Sequence, residues 1–319
     1  MRAEVVLDMP DGMVRGNFSG KVCRHNLFAR ECPASLEGPS EAWDLAQVVI
    51  DHGCCIFERL DSGRSELGLR DVVVQALFRR LLITAEAIRS LLAQGLEEPA
   101  FATCRTLHEL ERDLRLVITD PSDTAARRLA AFFAVKGRRH FAKAPKNPDT
   151  REFIQGNAAF FDWFRRKSRS FRDGLDSDTF RDLAQELKQA DHWHGFPNQQ
   201  EAFEAAGMAG TYHLEYGGSS LFVHGNNLEH DFADVDDTRI QLKPFAQRDP
   251  GQTLHHLGRM TLALINIYSL IWEDRGKPAY QEPVKLEDES GPTYDMDALV
   301  ALTAQATSVF RAWRRPAST

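Results

Sequence analysis

The chain has 319 residues, of which 43% are hydrophobic and 27% charged, with 39 Lys and Arg against 46 Asp and Glu for a formal net charge of −7. This ordinary globular composition can bury a sizeable core, and no stretch reaches the ~20 consecutive apolar residues that a membrane span needs. The start, Met1 to Pro10, carries Glu4 and Asp8 and no long apolar run, so a cytoplasmic location is expected and a secretory leader is not.

Residues 1–40 are expected to be irregular and partly extended. Gly12, Gly16, Gly20, Pro33, Gly38 and Pro39 punctuate them, and Glu4-Val5-Val6-Leu7 is a short strand candidate. Residues 41–319 are expected to form one helical domain. Ala42 to Leu60 places Leu45, Val48, Val49, His52 and Ile56 at three- and four-residue steps. Leu67 to Gln94 carries Val73, Leu77, Leu81, Ala85, Ile88 and Leu92 on one stripe, with Gly95 as its stop. Pro99 suits a first helical turn, and Phe101 to Ile118 continues it. Ser122 is the expected N-cap of a helix running from Asp123 to His140.

The chain breaks at Ala144 to Pro148, and helices are then expected over Thr150 to Arg172 and Thr179 to Gln189. His192 to Pro197 reads as a loop. Further helices are expected over Glu201 to Ala206, Tyr212 to His224, Thr253 to Trp272 and Asp297 to Trp313, with residues 225–250 a polar loop. So many helices and almost no strand predict an all-α, multi-helix bundle-like fold behind an irregular N-terminal segment.

The five cysteines, Cys23, Cys32, Cys54, Cys55 and Cys104, are odd in number and irregularly spaced, which argues against a disulfide framework. His25 and His52 lie near four of them, but zinc sites show tighter ligand pairs. No metal or other cofactor is expected.

The mean charge conceals an asymmetry. Arg127 to Arg172 holds 13 Lys and Arg against 3 Asp and Glu, a local balance of +10, and the remainder sums to −17. Arg138, Arg139, Arg165, Arg166, Lys167 and Arg169 in this segment alternate with clusters of Phe and Trp. Cationic groups neutralise phosphates and aromatic faces stack on unpaired bases, so RNA or another polyanion is the expected partner. The other reading, core aromatics beneath a solvated basic face, stays open.

Two constellations carry chemistry. Arg105 and Glu109 are four apart on one helix and share a face, with His108 beside them and Arg112 extending the stripe. They suit a phosphate-holding cation with its orienting carboxylate, or a brace between helices. Tyr216, Ser220 and His224 also step by four, which on a helix sets hydroxyls beside a histidine able to titrate near neutrality. A buried hydrogen-bond chain is the competing account. The acidic run from Asn226 to Asp237 reads as an exposed loop. There is no P-loop, no dinucleotide fingerprint, no G-x-S-x-G and no H-E-x-x-H.

The Arg105-Thr-Leu-x-Glu109 helix, the Trp193-His194-Gly195 loop and the Tyr216-x3-Ser220-x3-His224 segment together resemble a bacterial family of large helical proteins whose domain has no assigned function. The resemblance spans roughly residues 67–272 and implies that Arg105, Glu109, Trp193, Tyr216, Ser220 and His224 converge. The chain is also distantly similar to HEPN domains, helical ribonuclease and nucleotide-binding modules of prokaryotic defence and toxin systems. Those domains carry Arg-x4-6-His on one helix, work without metal and are completed by a second copy. The formal match here, Arg248-x6-His255, is interrupted by Asp249-Pro250-Gly251.

What these resemblances imply is a metal-independent ribonuclease-like effector acting on RNA or another phosphodiester, in antiviral defence or toxin action, as a homodimer. Arg105, Glu109, Tyr216, Ser220 and His224 would be catalytic. Arg138, Arg139, Arg165, Arg166, Lys167, Arg169 and Trp193 would bind substrate. The alternative is a non-catalytic helical sensor or scaffold for a ligand or protein partner.

Overall fold

The computed structural model describes residues 40–60, 67–143, 175, 177–217, 232–236, 239–242, 250–275 and 304. The apolar steps close into helices at the expected places: α1 (Ser40–Arg59), α2 (Leu69–Ala93), α3 (Glu97–Thr119), α4 (Thr124–Lys143), α5 (Ser177–Glu186), α6 (Gln199–Ala205) and α7 (Pro250–Arg275). Pro250 opens α7, where its missing N–H costs nothing. None of the described helices is long and apolar enough to cross a membrane.

Two expectations are corrected. The polar stretch 225–250 contains an antiparallel hairpin, β1 (Phe232–Asp236) paired with β2 (Arg239–Leu242), with Phe232 opposite Leu242 and an irregularity between Asp234 and Asp236. Ser122 is not the cap of α4. Asp120 does that work, its Oδ2 accepting from the Ala125 N–H at 2.6 Å while Oδ1 accepts from the Ser122 N–H and hydroxyl. The turn is tight enough to hold Asp123 at φ 58°, a left-handed conformation rare for a residue with a Cβ. Burial opposes ionisation of Asp120, but the bonds from Ala125 and Ser122 and the charge of Arg70 hold its carboxyl below the ordinary 3.8.

The chain divides into two compact units. Among the described residues one takes in 67–76, 119–143 and 177–202, and the other 40–60, 77–118, 203–217, the hairpin and 250–275. In the first, Leu129, Phe132, Leu187 and Trp193 form the buried interior. Arg128 on α4 donates Nη1 to Glu186 of α5 at 2.6 Å and Nε to the Trp193 carbonyl at 3.2 Å. Gly195 has φ +76°, and a Cβ there would lie 2.5 Å from the Arg128 guanidinium, so the loop needs glycine on both counts.

In the second unit α1 and α2 run antiparallel, as Trp43 meets Arg89 while Phe57 meets Phe78. Tyr268 of α7 is fully buried between them, its hydroxyl donating to the Val49 carbonyl at 2.8 Å and its ring edge-on to Phe78. Gly53 makes room for it, because a Cβ there would press on Tyr268 and lie 2.5 Å from Leu82. Each such fully buried large side chain contributes about 1.5–3 kcal/mol of transfer free energy. Gly95 ends α2 in the left-handed conformation. Its N–H bonds the Leu92 carbonyl and the Leu96 N–H bonds that of Leu91, a Schellman close that turns the chain straight into α3. Contacts of Glu97 with Thr253, Cys104 with His256 and Glu111 with Asn266 set α3 and α7 parallel.

Candidate functional site

The site lies in the second unit, where α3, α7 and the segment after α6 meet. Helix α6 ends at Gly207 in a second Schellman close, and a contact between Met208 and Phe203 seals it. A turn at Ala209–Thr211 then widens into a π-helix over Tyr212–Tyr216, in which the Gly217 N–H reaches the Tyr212 carbonyl five residues back. Single π turns are uncommon and concentrate at functional positions. Glu215 and Tyr216, consecutive and both buried, point in different directions from this turn and reach different helices.

Tyr216 faces α3. Its ring packs on Phe203 and stacks with Tyr212, at centroid distances of 4.9 and 5.5 Å. Arg105 lies over that ring, 5.0 Å from its centroid, and donates from Nη2 to the phenol oxygen at 3.0 Å. The phenol donates in turn to Glu109 Oε1 at 3.0 Å, and the same oxygen accepts from Arg105 Nε at 3.3 Å. Burial first, and then the charge of Glu109, raise the Tyr216 pKa, so the phenol stays a neutral donor. Arg112 lies seven residues along α3. It is buried over the Phe203 ring and paired with Asp113.

Glu215 faces α7. It pairs with Arg259, and its Oε2 lies 3.0 Å from His255 Nε2. Its burial would raise the carboxyl, but the hydrogen bond from His255 and the charges of His255, Arg259 and His108 overcome that and hold it below the ordinary 4.5. Next to this pair Cys104 and His256 meet at 4.0 Å in the interior. Burial pushes the thiol up to about 12 and the imidazole down to about 4, so both stay neutral near pH 7 and do not form a thiolate–imidazolium pair. His108 and Glu111, also buried, lie 3.8 Å apart, with Arg115 on the other Glu111 oxygen.

Of the residues singled out from sequence, Arg105, Glu109 and Tyr216 therefore form one bonded group. Trp193 belongs to the first unit and is buried, its indole face closed to an incoming base as the loop stands. Arg138 and Arg139 fall within α4, but their side chains lie outside the described residues, as do Arg165, Arg166, Lys167, Arg169, Ser220, His224 and Arg248. The step of four proposed for Tyr216, Ser220 and His224 begins at the last residue of the π turn and runs on outside the described residues.

Sequence reasoning did not single out Glu215 or Arg259, and it met His255 in the interrupted Arg248-x6-His255 match. The available signal was a histidine and an arginine four apart on an otherwise apolar helix. Among the described residues no group of three or more His, Cys, Asp or Glu side chains is arranged to hold a metal ion.

No curated protein and no solved structure matches the chain. A family model does, over residues 71–239, more than half of the sequence; it takes in α3, the π turn and the Trp193 loop and stops before α7. The chain belongs to that family, DUF5677, a family of unknown function.

Proposed function

We propose that the protein is a HEPN-like helical effector acting on RNA or another phosphodiester, in a prokaryotic defence or toxin setting and as a homodimer. The observation that carries this reading is the Arg105 group. A guanidinium that is only partly buried is oriented by Glu109 on its own helix and by Tyr216 from more than a hundred residues away. Arg105 neutralises charge on the phosphoryl oxygens in the transition state, and the neutral Tyr216 phenol adds a second donor. His224 is the general acid–base and Ser220 its positioning partner, while His255, held by Glu215, is a second imidazole suited to that role. Arg138, Arg139, Arg165, Arg166, Lys167 and Arg169 guide the polyanion.

The test is cleavage of single-stranded RNA by purified protein in excess EDTA. The expected result is metal-independent cleavage that falls by roughly 10²–10³ in Arg105→Ala. His224→Ala and His255→Ala, assayed in parallel, identify which imidazole moves the proton. RNA left intact by the wild-type protein would remove the reading.

A second reading, a non-catalytic sensor or scaffold, draws on the same bonds. Arg105 already has two acceptors and Tyr216 is 6% exposed, as a brace between α3 and the π turn would be. It expects Arg105→Ala to lose stability and nothing else.

A further inference from the structure

Glu109 occupies the place of a ligand. The Nε and Nη2 donors on one edge of the Arg105 guanidinium face two oxygens, Glu109 Oε1 at 3.3 Å and the Tyr216 hydroxyl at 3.0 Å. The Tyr216 hydroxyl aims its own proton at the same Glu109 oxygen, 3.0 Å away. Two donors from two elements thus converge on one anionic oxygen, the arrangement by which proteins hold a phosphate oxygen. The occupant is also the least fixed member. Tyr216 is clamped by Phe203 and Tyr212, and the Arg105 side chain is 21% exposed, whereas that of Glu109 is 33% exposed and a rotamer change on α3 carries its carboxylate into solvent.

We propose that Arg105 and Tyr216 form a phosphate-oxyanion site that the Glu109 carboxylate fills at rest and vacates for the ligand. This rests on the phosphodiester reading for its biological ligand, but the site itself is defined by the three side chains. An incoming phosphoryl oxygen takes the Nε–H and phenol O–H bonds that Glu109 gives up. Glu109 therefore opposes binding while it orients the empty site, and its removal tightens the site.

Two probes distinguish the sources of the oxyanion: inorganic phosphate, followed by the Arg105 Nε–H signal in NMR, and a short single-stranded RNA, followed by fluorescence anisotropy. Glu109→Gln removes the competing charge and keeps the shape. Glu98→Gln, exposed in the first turn of the same helix, controls for net charge. Glu109→Gln is expected to bind phosphate roughly tenfold tighter than wild type, the size of one charge-assisted bond no longer competed for, and Tyr216→Phe several-fold weaker. Circular dichroism confirms that each variant is folded.

Phosphate affinity in Glu109→Gln no greater than in Glu98→Gln would overturn the proposal, as would an Arg105 signal that phosphate never moves. Tight phosphate binding by a protein that leaves RNA intact and unbound would remove the RNA reading and keep the site. RNA cleaved with the Arg105 signal unmoved would do the reverse.

Discussion

Arg128 and Arg105 are each a helix-borne arginine with a glutamate partner and an aromatic residue at hand, and their side chains are almost equally buried, at 16% and 21% exposure. They nevertheless serve different ends. Arg128 donates to the main-chain carbonyl of the buried Trp193, in a loop whose left-handed Gly195 leaves room for the guanidinium. Arg105 donates to the side-chain oxygens of Glu109 and Tyr216. A carbonyl of a packed loop cannot turn away, whereas a glutamate on a helix surface can. The acceptor, rather than the depth of the arginine, separates a clamp from an exchangeable site.

Acid offers the largest effect with which to separate the two units. His256 is held neutral in the second unit, pushed from 6.5 down to about 4 by burial and then by the charge of His255, with Glu215 opposing. Between those values the unfolded chain binds a proton that the folded chain does not, so stability rises with pH across the window and drops by roughly 3 kcal/mol as it is crossed downwards. In the first unit Asp120 has a lowered folded pKa, so its contribution is full above the ordinary 3.8 and is lost only below it. Hydrogen exchange is expected to report the helices around His256 loosening first as pH falls from 6.5. His256→Phe should flatten that dependence; an unchanged profile would dismiss His256 as its source.

Gly195→Val comes next, at about 2–3 kcal/mol, because a β-branched residue must take a left-handed φ and meet the Arg128 guanidinium. The loss should appear as faster exchange in peptides covering 177–202. Arg128→Met follows at about 2 kcal/mol, the worth of a charged bond to a buried acceptor. Arg105→Met is expected to cost under ~1 kcal/mol by chemical denaturation, in the range of a partly exposed i,i+4 pair, while abolishing the phosphate response. Equal losses for Arg105→Met and Arg128→Met would erase the distinction between them.

Helix positions were legible because apolar steps of three and four and a glycine stop act locally, as α2 and Gly95 illustrate. Asp120 was missed as a cap because a five-residue reach to Ala125 depends on a left-handed Asp123, which no propensity favours. The hairpin was missed because two strands of five and four residues, the first acidic and the two joined by Asp237-Thr238, carry a loop's composition; the Arg-Ile-Gln-Leu alternation of β2 was its faint trace. Arg105 and Glu109 share a face by helical geometry alone, but nothing in the spacing says that Tyr216 rather than Ser220 or His224 closes the group. Glu215 is harder still. A buried carboxylate is recognisable only through its partners His255 and Arg259, which lie some forty residues away.

The π turn is a matter of counting. Its span includes Leu214, whose side chain is 72% exposed and so contributes little to the interior. A chain lacking Leu214 can close an ordinary α turn, and the narrower turn absorbs the missing residue, so the residues after the gap keep their directions. Glu215 would still face α7 and Tyr216 still face Arg105, with no contacting residue altered. The wide turn thus takes up one surplus residue locally and passes no rotation on to the site. Deleting Leu214 should leave the phosphate response in place, as should Leu214→Ala, whereas replacing Arg105 abolishes it.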